Sequence, residues 1–312
     1  MALRIIYMGT PEFSIPGLQI LLENNYPIVS VVTAPDKPRG RGQQILPSPV
    51  KEFAAKHQLP VLQPQHLKED AFISSVAALK PDLIVVVAFR ILPKDVFTIP
   101  RVGAFNLHAS LLPRYRGAAP INWAIINGDK ETGVTTFFLR EKVDTGAVLL
   151  QARVKIGPDE TAGELHDKLA AVGAEIILQT VRLIELGKAQ PRVQDDGLAT
   201  PAPKIFKDDC RIDWNKPRMQ VHNFIRGMSP VPCAWTTHGE KGLKIFRTQM
   251  PSTSGSVAGQ PGTVVHTDKD SLSVACADDA INVVEIQQEG RKKMGVEEFL
   301  RGHPLHAGEK LG

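Results

Sequence analysis

Residues 82–89 read DLIVVVAF and residues 103–110 read GAFNLHAS, and these two runs decide the fold. The first is apolar and β-branched without the alternation of a half-exposed strand, which predicts a parallel strand covered on both faces. The second begins in the same way and then departs from it. Asn106, His108 and Ser110 stand two apart and so share one face of a strand, while Phe105 and Leu107 face the other way. A central strand of a parallel sheet ordinarily offers apolar groups to both sides. Polar groups belong there at a strand's carboxyl end, where open α/β sheets place their ligands.

The flanking sequence repeats the strand pattern and separates it with helices. LRIIYMG at 3–9 and PIVSVVTAP at 27–35 read as buried strands, and Pro11 stands at an expected first helical position before FSIPGLQILLENN. HLKEDAFISSVAALK at 66–80 and GAAPINWAIING at 117–128 have helical spacing, whereas GVTTFFLR at 133–140 and AVLLQARVKI at 147–156 read as strands. Thr161 and Glu164 form a capping box that opens a helix running to Leu186. Strands alternating with helices predict a doubly wound, mostly parallel α/β domain over 1–200.

From about Leu198 the texture changes. TPAPK marks a linker at 201–208, and three β-runs follow at 234–250, 262–279 and 280–290, broken by Gly, Asp and Asn turns. Such runs predict a small antiparallel β-barrel, OB-like, over 209–312. The composition agrees with two soluble domains: 312 residues, 43% hydrophobic and 22% charged. The longest apolar run, Leu83 to Phe89, falls far short of the ~20 residues a membrane span needs. The N-terminal residues lack the pattern of a secretory signal, and three scattered cysteines argue for a reducing compartment; a cytoplasmic protein is expected. A net charge of +4 permits a polyanionic partner without requiring one.

Asn106, His108 and Asp144, the last in VDTGAVL, make a coherent set for acyl transfer to an amine. A fixed amide stabilises the oxyanion that forms when an amine attacks a carbonyl carbon. An imidazole moves the protons, and a carboxylate orients the ring and stabilises its charged form. Ser110 lacks the Gly-x-Ser-x-Gly elbow of a nucleophile. A lone Asp-Thr-Gly cannot make the paired carboxylates of an aspartic protease. Gly9-Thr10-Pro11 is not the Gly-x-Gly-x-x-Gly turn of a nicotinamide dehydrogenase. His303 and His306 lack companions for a metal, so none is expected and the tail reads as frayed.

The motifs Asn106-x-His108-x-Ser110-Leu111-Leu112-Pro113, Arg116-Gly117-Ala118-Ala119-Pro120-Ile121 and Asp144-x-Gly146 resemble those of the folate-dependent formyltransferases. The resemblance runs from Gly9-Thr10-Pro11-Glu12-Phe13 through Ala34-Pro35-Asp36-Lys37-Pro38 to Ile212-Asp213-Trp214 and Gly290-Arg291-Lys292-Lys293-Met294. It is strongest with the branch of the family that formylates initiator methionyl-tRNA. It implies Asn106, His108 and Asp144 as catalytic residues, Ser110 to Pro113 as the tetrahydrofolate-binding segment, and 10-formyltetrahydrofolate as co-substrate. It also implies that the basic loop 36–49, with Lys37, Arg39 and Arg41, engages tRNA, and that the barrel with Arg291-Lys292-Lys293 grips the tRNA body. A monomer is expected, although the sequence does not give the oligomeric state. Two stretches depart from the family pattern. Arg90 stands where relatives carry glycine in a pterin-holding loop, and Arg140-Glu141-Lys142 differs near Asp144. A sibling enzyme acting on a sugar nucleotide or purine precursor, or a non-catalytic RNA-binding protein, are the alternatives. The basic loop and barrel-like tail favour tRNA, and the intact Asn-His-Asp set favours catalysis.

Overall fold

The computed structural model describes residues 3–39, 44–251 and 259–312. The chain divides into two compact units. The first takes Met1–Gly117, Gly133–Val154 and His166–Pro201; the second takes Ala118–Thr132, Lys155–Leu165 and Ala202–Gly312.

The first unit is built on seven strands: β1 (Ile5–Gly9), β2 (Ile28–Val32), β3 (Val61–Leu62), β4 (Leu83–Val87), β5 (Gly103–His108), β6 (Glu131–Phe138) and β7 (Val148–Lys155). Their order across the sheet is β7-β6-β5-β4-β1-β2-β3. The pairs β1–β2, β1–β4, β2–β3 and β4–β5 are parallel, and β5–β6 is antiparallel. Every residue of β1 and β4 is buried, as continuous apolar runs require of central parallel strands. Registers of Asn106 with Val86 and of His108 with Thr135 set the polar face of β5 between an apolar neighbour and a hydroxyl-bearing one.

The turn after β1 is tightly packed. Ser14 Oγ donates to Val87 O at 2.7 Å and Tyr7 OH donates to Ser14 O at 2.6 Å. A β-carbon on Gly9 would run into Ser14 and Val87 O, so only glycine lets these segments approach. The helix expected from Pro11 begins later. Glu12–Ser14 forms a 3-10 turn and the α-helix spans Ile15–Glu23. Pro16 has no N–H to bond back to residue 12, so a continuous helix from Pro11 would lose a rung there.

The second unit is a closed antiparallel sheet with helices. Its strands are β8 (Ala234–His238), β9 (Lys241–Gln249), β10 (Val264–Thr267), β11 (Leu272–Ala275), β12 (Ala280–Gln288) and β13 (Met294–Gly295). The order is β8-β9-β12-β11-β10, with β13 on β12. Bridges His238–Leu311 and Thr263–Lys310 link the two open edges through the last residues of the chain, closing the sheet into a barrel. The tail is therefore ordered, not frayed: Leu305 and Leu311 lie in the core, and His303 stacks on Phe299.

The helix Arg218–Met228 was not expected from the sequence. Its buried Val221, Ile225 and Met228 follow helical spacing on one face, but the intervening polar residues mask the pattern. Those polar residues are themselves buried and paired. Arg226 donates to Gly157 O and Glu160 O and to Asn223 Oδ1, which fastens segment 155–165 to this unit.

The capping box holds as expected. Thr161 N donates to Glu164 Oε2 at 2.8 Å, Glu164 N donates to Thr161 Oγ1, and the helix spans Ala162–Glu185. The Thr161 amide, and to a lesser degree the Arg247 guanidinium, hold the Glu164 carboxyl below its ordinary 4.5. A depressed folded-state value stabilises above the unfolded value and loses that contribution as pH falls. We therefore expect Thr161→Ala to cost about 1 kcal/mol in urea unfolding at pH 7. Alanine keeps the Thr161 N–H but loses the hydroxyl that donates to Glu164 Oε2 at 2.9 Å, so only that part of the gap should narrow as pH drops below 4.5.

Candidate active site

Asn106 and His108 stand at the carboxyl end of β5, the end at which open α/β sheets receive ligands. The Asn106 side chain is half-buried and makes no hydrogen bond among the described residues. His108 is nearly buried, and its two ring nitrogens face different groups. Nε2 lies 2.7 Å from Tyr115 O, and Nδ1 lies 3.8 Å from Asp144 Oδ2; the two side chains are 7% and 10% exposed. The imidazole is thus covered but not sealed, and the carboxylate is beside it without a direct hydrogen bond. A carbonyl only accepts, so Nε2 carries a proton and the neutral ring leaves Nδ1 bare. The ring is oriented by the Tyr115 carbonyl, where the sequence had suggested Asp144. A main-chain acceptor has no residue-type signature, so the sequence offered no sign of it.

Asp144 is held by backbone. Gly117 N donates to Oδ2 at 2.9 Å, and Asp144 itself adopts φ 55°, the left-handed region that costs a non-glycine residue about 1–3 kcal/mol. Two residues on, a β-carbon at Gly146 would overlap Phe138 O, so the chain must be bare there to return beside β6. Gln194 Nε2 donates to both Asp144 O and Gly146 O, at 2.9 and 2.8 Å.

The Ser110–Pro113 segment is a braced turn. Ser110 Oγ donates to Arg114 O at 2.6 Å, so its hydroxyl closes the turn and is not directed to a ligand. The buried Thr135 Oγ1 donates to Ser110 O at 2.6 Å and accepts from Leu112 N at 3.1 Å. Gln151 Nε2 donates to Leu112 O and to Thr135 Oγ1, at 2.9 and 3.0 Å. Nothing in the sequence marks Thr135, Gln151 or Gln194, because a Thr within a strand and isolated glutamines carry no spacing signal.

Arg90 is also engaged. Its guanidinium donates to Gln65 O and Pro64 O at 2.9 and 2.8 Å and lies over the Phe89 ring, tying segment 64–65 to segment 89–90. Of the Arg140-Glu141-Lys142 stretch, Glu141 pairs with Lys94 at 2.6 Å.

The expected tRNA-binding cations are placed unequally. Lys37 is exposed at the start of the short ladder Lys37–Arg39 with Gln44–Leu46. Arg41, like residues 40–43 generally, lies outside the described residues, as does the side chain of Arg39. Asp36 anchors the loop's root, pairing with Lys51 Nζ at 2.6 Å and Gln63 Nε2 at 2.8 Å. In the second unit Lys292 pairs with Glu298 at 3.5 Å and Lys293 with Glu285 at 3.0 Å, so these two are partly neutralised.

Gly146→Ala should retain the far-UV circular dichroism of the parent but lose at least ~100-fold in turnover, because the clash displaces the Asp144 loop. Turnover within twofold of the parent would contradict this geometry.

Comparison with known proteins places these elements in a family. Residues 3–181 match the formyl transferase family model, and residues 204–304 match the model of the formyl transferase C-terminal domain. A methionyl-tRNA formyltransferase of Bacteroides fragilis is 48% identical, covering 99% of this chain and 98% of its own. One from Trichlorobacter lovleyi is 47% identical over 99% and 96% of the two chains. Among solved structures, an N-formyltransferase from Helicobacter canadensis, in complex with folinic acid and dTDP-3-aminofucose, shares the fold. Its TM-score is 0.69 at 17% identity, covering 94% of this chain and 100% of that one. The mostly parallel sheet, the antiparallel barrel and the Asn-His-Asp cluster thus sit in a chain that belongs to the formyl transferase family.

Proposed function

We propose that this chain transfers the formyl group of 10-formyltetrahydrofolate to the amino group of methionine on initiator methionyl-tRNA, acting as a monomer in the cytoplasm. One observation carries the reading. An amide without a partner among the described residues and an imidazole beside a carboxylate stand on the strand that ends at the ligand end of the sheet. The chain around them is 48% identical to a methionyl-tRNA formyltransferase over nearly its whole length. Three buried, unpaired cysteines suit a reducing compartment.

The residues fit a formyl-bearing folate. Among the described residues the Asn106 amide has hydrogen-bonding capacity unspent, and the Ser110–Pro113 turn that follows β5 is braced by Thr135 and Gln151. When bound, the folate supplies a formyl carbon on an amide-type nitrogen. Asn106 donates to the formyl oxygen as negative charge develops there, an interaction that typically contributes ~10²–10³ in rate. His108 Nδ1, the ring nitrogen without a hydrogen bond among the described residues, accepts the proton released by the attacking amine. Asp144, 3.8 Å away, steadies the resulting imidazolium. Nδ1 then returns the proton to the leaving nitrogen, so the ring ends as it began. Ser110, with its hydroxyl committed to Arg114 O, takes no part as a nucleophile.

In the same reading residues 1–200 carry catalysis, and Lys37, Arg39 and Arg41 on loop 36–49 meet the phosphates of the tRNA. Residues 209–312, beyond the linker 201–208, hold the tRNA body. With Lys292 and Lys293 already paired, Arg291 is the member of that basic run best suited to a phosphate.

The function is tested by offering 10-formyltetrahydrofolate with initiator methionyl-tRNA, elongator methionyl-tRNA or a sugar-nucleotide amine. Formylation of the initiator tRNA is expected, and preferential formylation of the sugar amine would refute the proposal. Asn106→Ala should lower the single-turnover rate by ~10²–10³, with folate affinity measured by fluorescence nearly unchanged. Arg41→Ala should weaken tRNA use and reduce the salt slope of tRNA binding by about 1, leaving folate binding intact. Equal loss of both would count against the loop's assignment.

A further inference from the structure

We infer that Gln194 is a positioning residue that keeps the Asp144 carboxylate beside His108, an inference that rests on the catalytic role proposed for Asp144. Gln194 lies between the stretches that match the two family models, residues 3–181 and 204–304. It follows the long helix on an irregular segment where nothing in the sequence marks a functional residue.

Its amide joins the two backbones that place the carboxylate. On one side, Nε2 donates to Asp144 O at 2.9 Å and to Gly146 O at 2.8 Å. These carbonyls bracket the loop in which Asp144 holds φ 55°. On the other side, Oε1 accepts from Arg116 Nε at 3.2 Å and from Nη2 at 2.7 Å. Arg116 precedes Gly117, whose N–H donates to Asp144 Oδ2. The carboxylate is therefore fixed at its own backbone and at its N–H donor, and one side chain connects the two.

Arg116 is itself fixed. Its Nη2 also pairs with Asp196 Oδ1 at 2.7 Å, and this guanidinium holds the Asp196 carboxyl below the usual carboxylate range. The arrangement resembles a splint. A left-handed aspartate tends to relax toward an ordinary conformation, and two carbonyl-directed bonds from a braced amide oppose that relaxation. With those bonds removed, the loop relaxes, Oδ2 leaves Gly117 N, and Nδ1 of His108 loses its neighbouring charge.

The test uses the full-length protein with Gln194→Met, which keeps the shape without polar atoms, and Gln194→Glu, which keeps an acceptor for Arg116 but removes the donor. In the ligand-free protein, amide hydrogen exchange at Gly117 should speed up ~10-fold in both variants. With 10-formyltetrahydrofolate and methionyl-tRNA, kcat should fall ~10- to 100-fold, and KM for each substrate should stay within about twofold. Adding Gln194→Met to Asp144→Asn should cause no further loss, because the glutamine acts through the carboxylate. Unchanged Gly117 exchange, a loss carried by KM, full additivity with Asp144→Asn, or failure of both variants to fold would each overturn the inference. If Asp144→Asn alone keeps a near-normal rate, the catalytic reading of Asp144 fails. The exchange measurement would still report whether Gln194 holds the carboxylate.

Discussion

A carboxylate kept 3.8 Å from a nearly buried imidazole is the constraint to which much of the first unit answers. Asp144 occupies the left-handed region, which non-glycine residues adopt seldom and aspartate more readily than most. It is kept there by the Gly117 N–H on its side chain and by Gln194 on its backbone, while the absence of a side chain at Gly146 lets the loop close. The imidazole is fixed separately, through Nε2 on the Tyr115 carbonyl. Orientation and charge stabilisation are thus assigned to different groups. That separation leaves Nδ1 without a hydrogen bond among the described residues and therefore available to a moving proton.

The strands serve this arrangement by supplying a rigid edge. β1 and β4 are buried throughout, and β5 between β4 and β6 ends on Asn106 and His108. The turn that follows is braced by Thr135 and Gln151, so the distance between the β5 side chains and the Ser110–Pro113 wall does not depend on a loose loop. Arg90 plays a comparable part at the neighbouring strand end. It fastens segment 64–65 to segment 89–90 with two bonds that a glycine at this position could not make.

Much of this was legible in the sequence because it was written in periodicity and residue type. Uninterrupted β-branched runs marked the central strands, the two-residue spacing of Asn106 and His108 marked the polar face, and Thr161 with Glu164 marked the start of the long helix. The parts that were not legible depend on backbone atoms or on single polar residues far apart in the chain. The Tyr115 carbonyl has no sequence signature, and Gln194 is 50 residues from the loop it bonds. The helix Arg218–Met228 was hidden because its buried face includes His222, Asn223 and Arg226, which ordinarily signal exposure. The order of the tail is not legible in the sequence because its role, bridging two barrel edges, depends on main-chain pairing.

In its neutral form His108 carries its proton on Nε2 and presents a bare Nδ1 beside Asp144. Nitrogen-15 chemical shifts of the His108 ring, recorded at alkaline pH in the ligand-free protein, test it directly. A protonated Nε2 and an unprotonated Nδ1 are expected. A ring protonated on Nδ1 and bonded to the Asp144 carboxylate would contradict it.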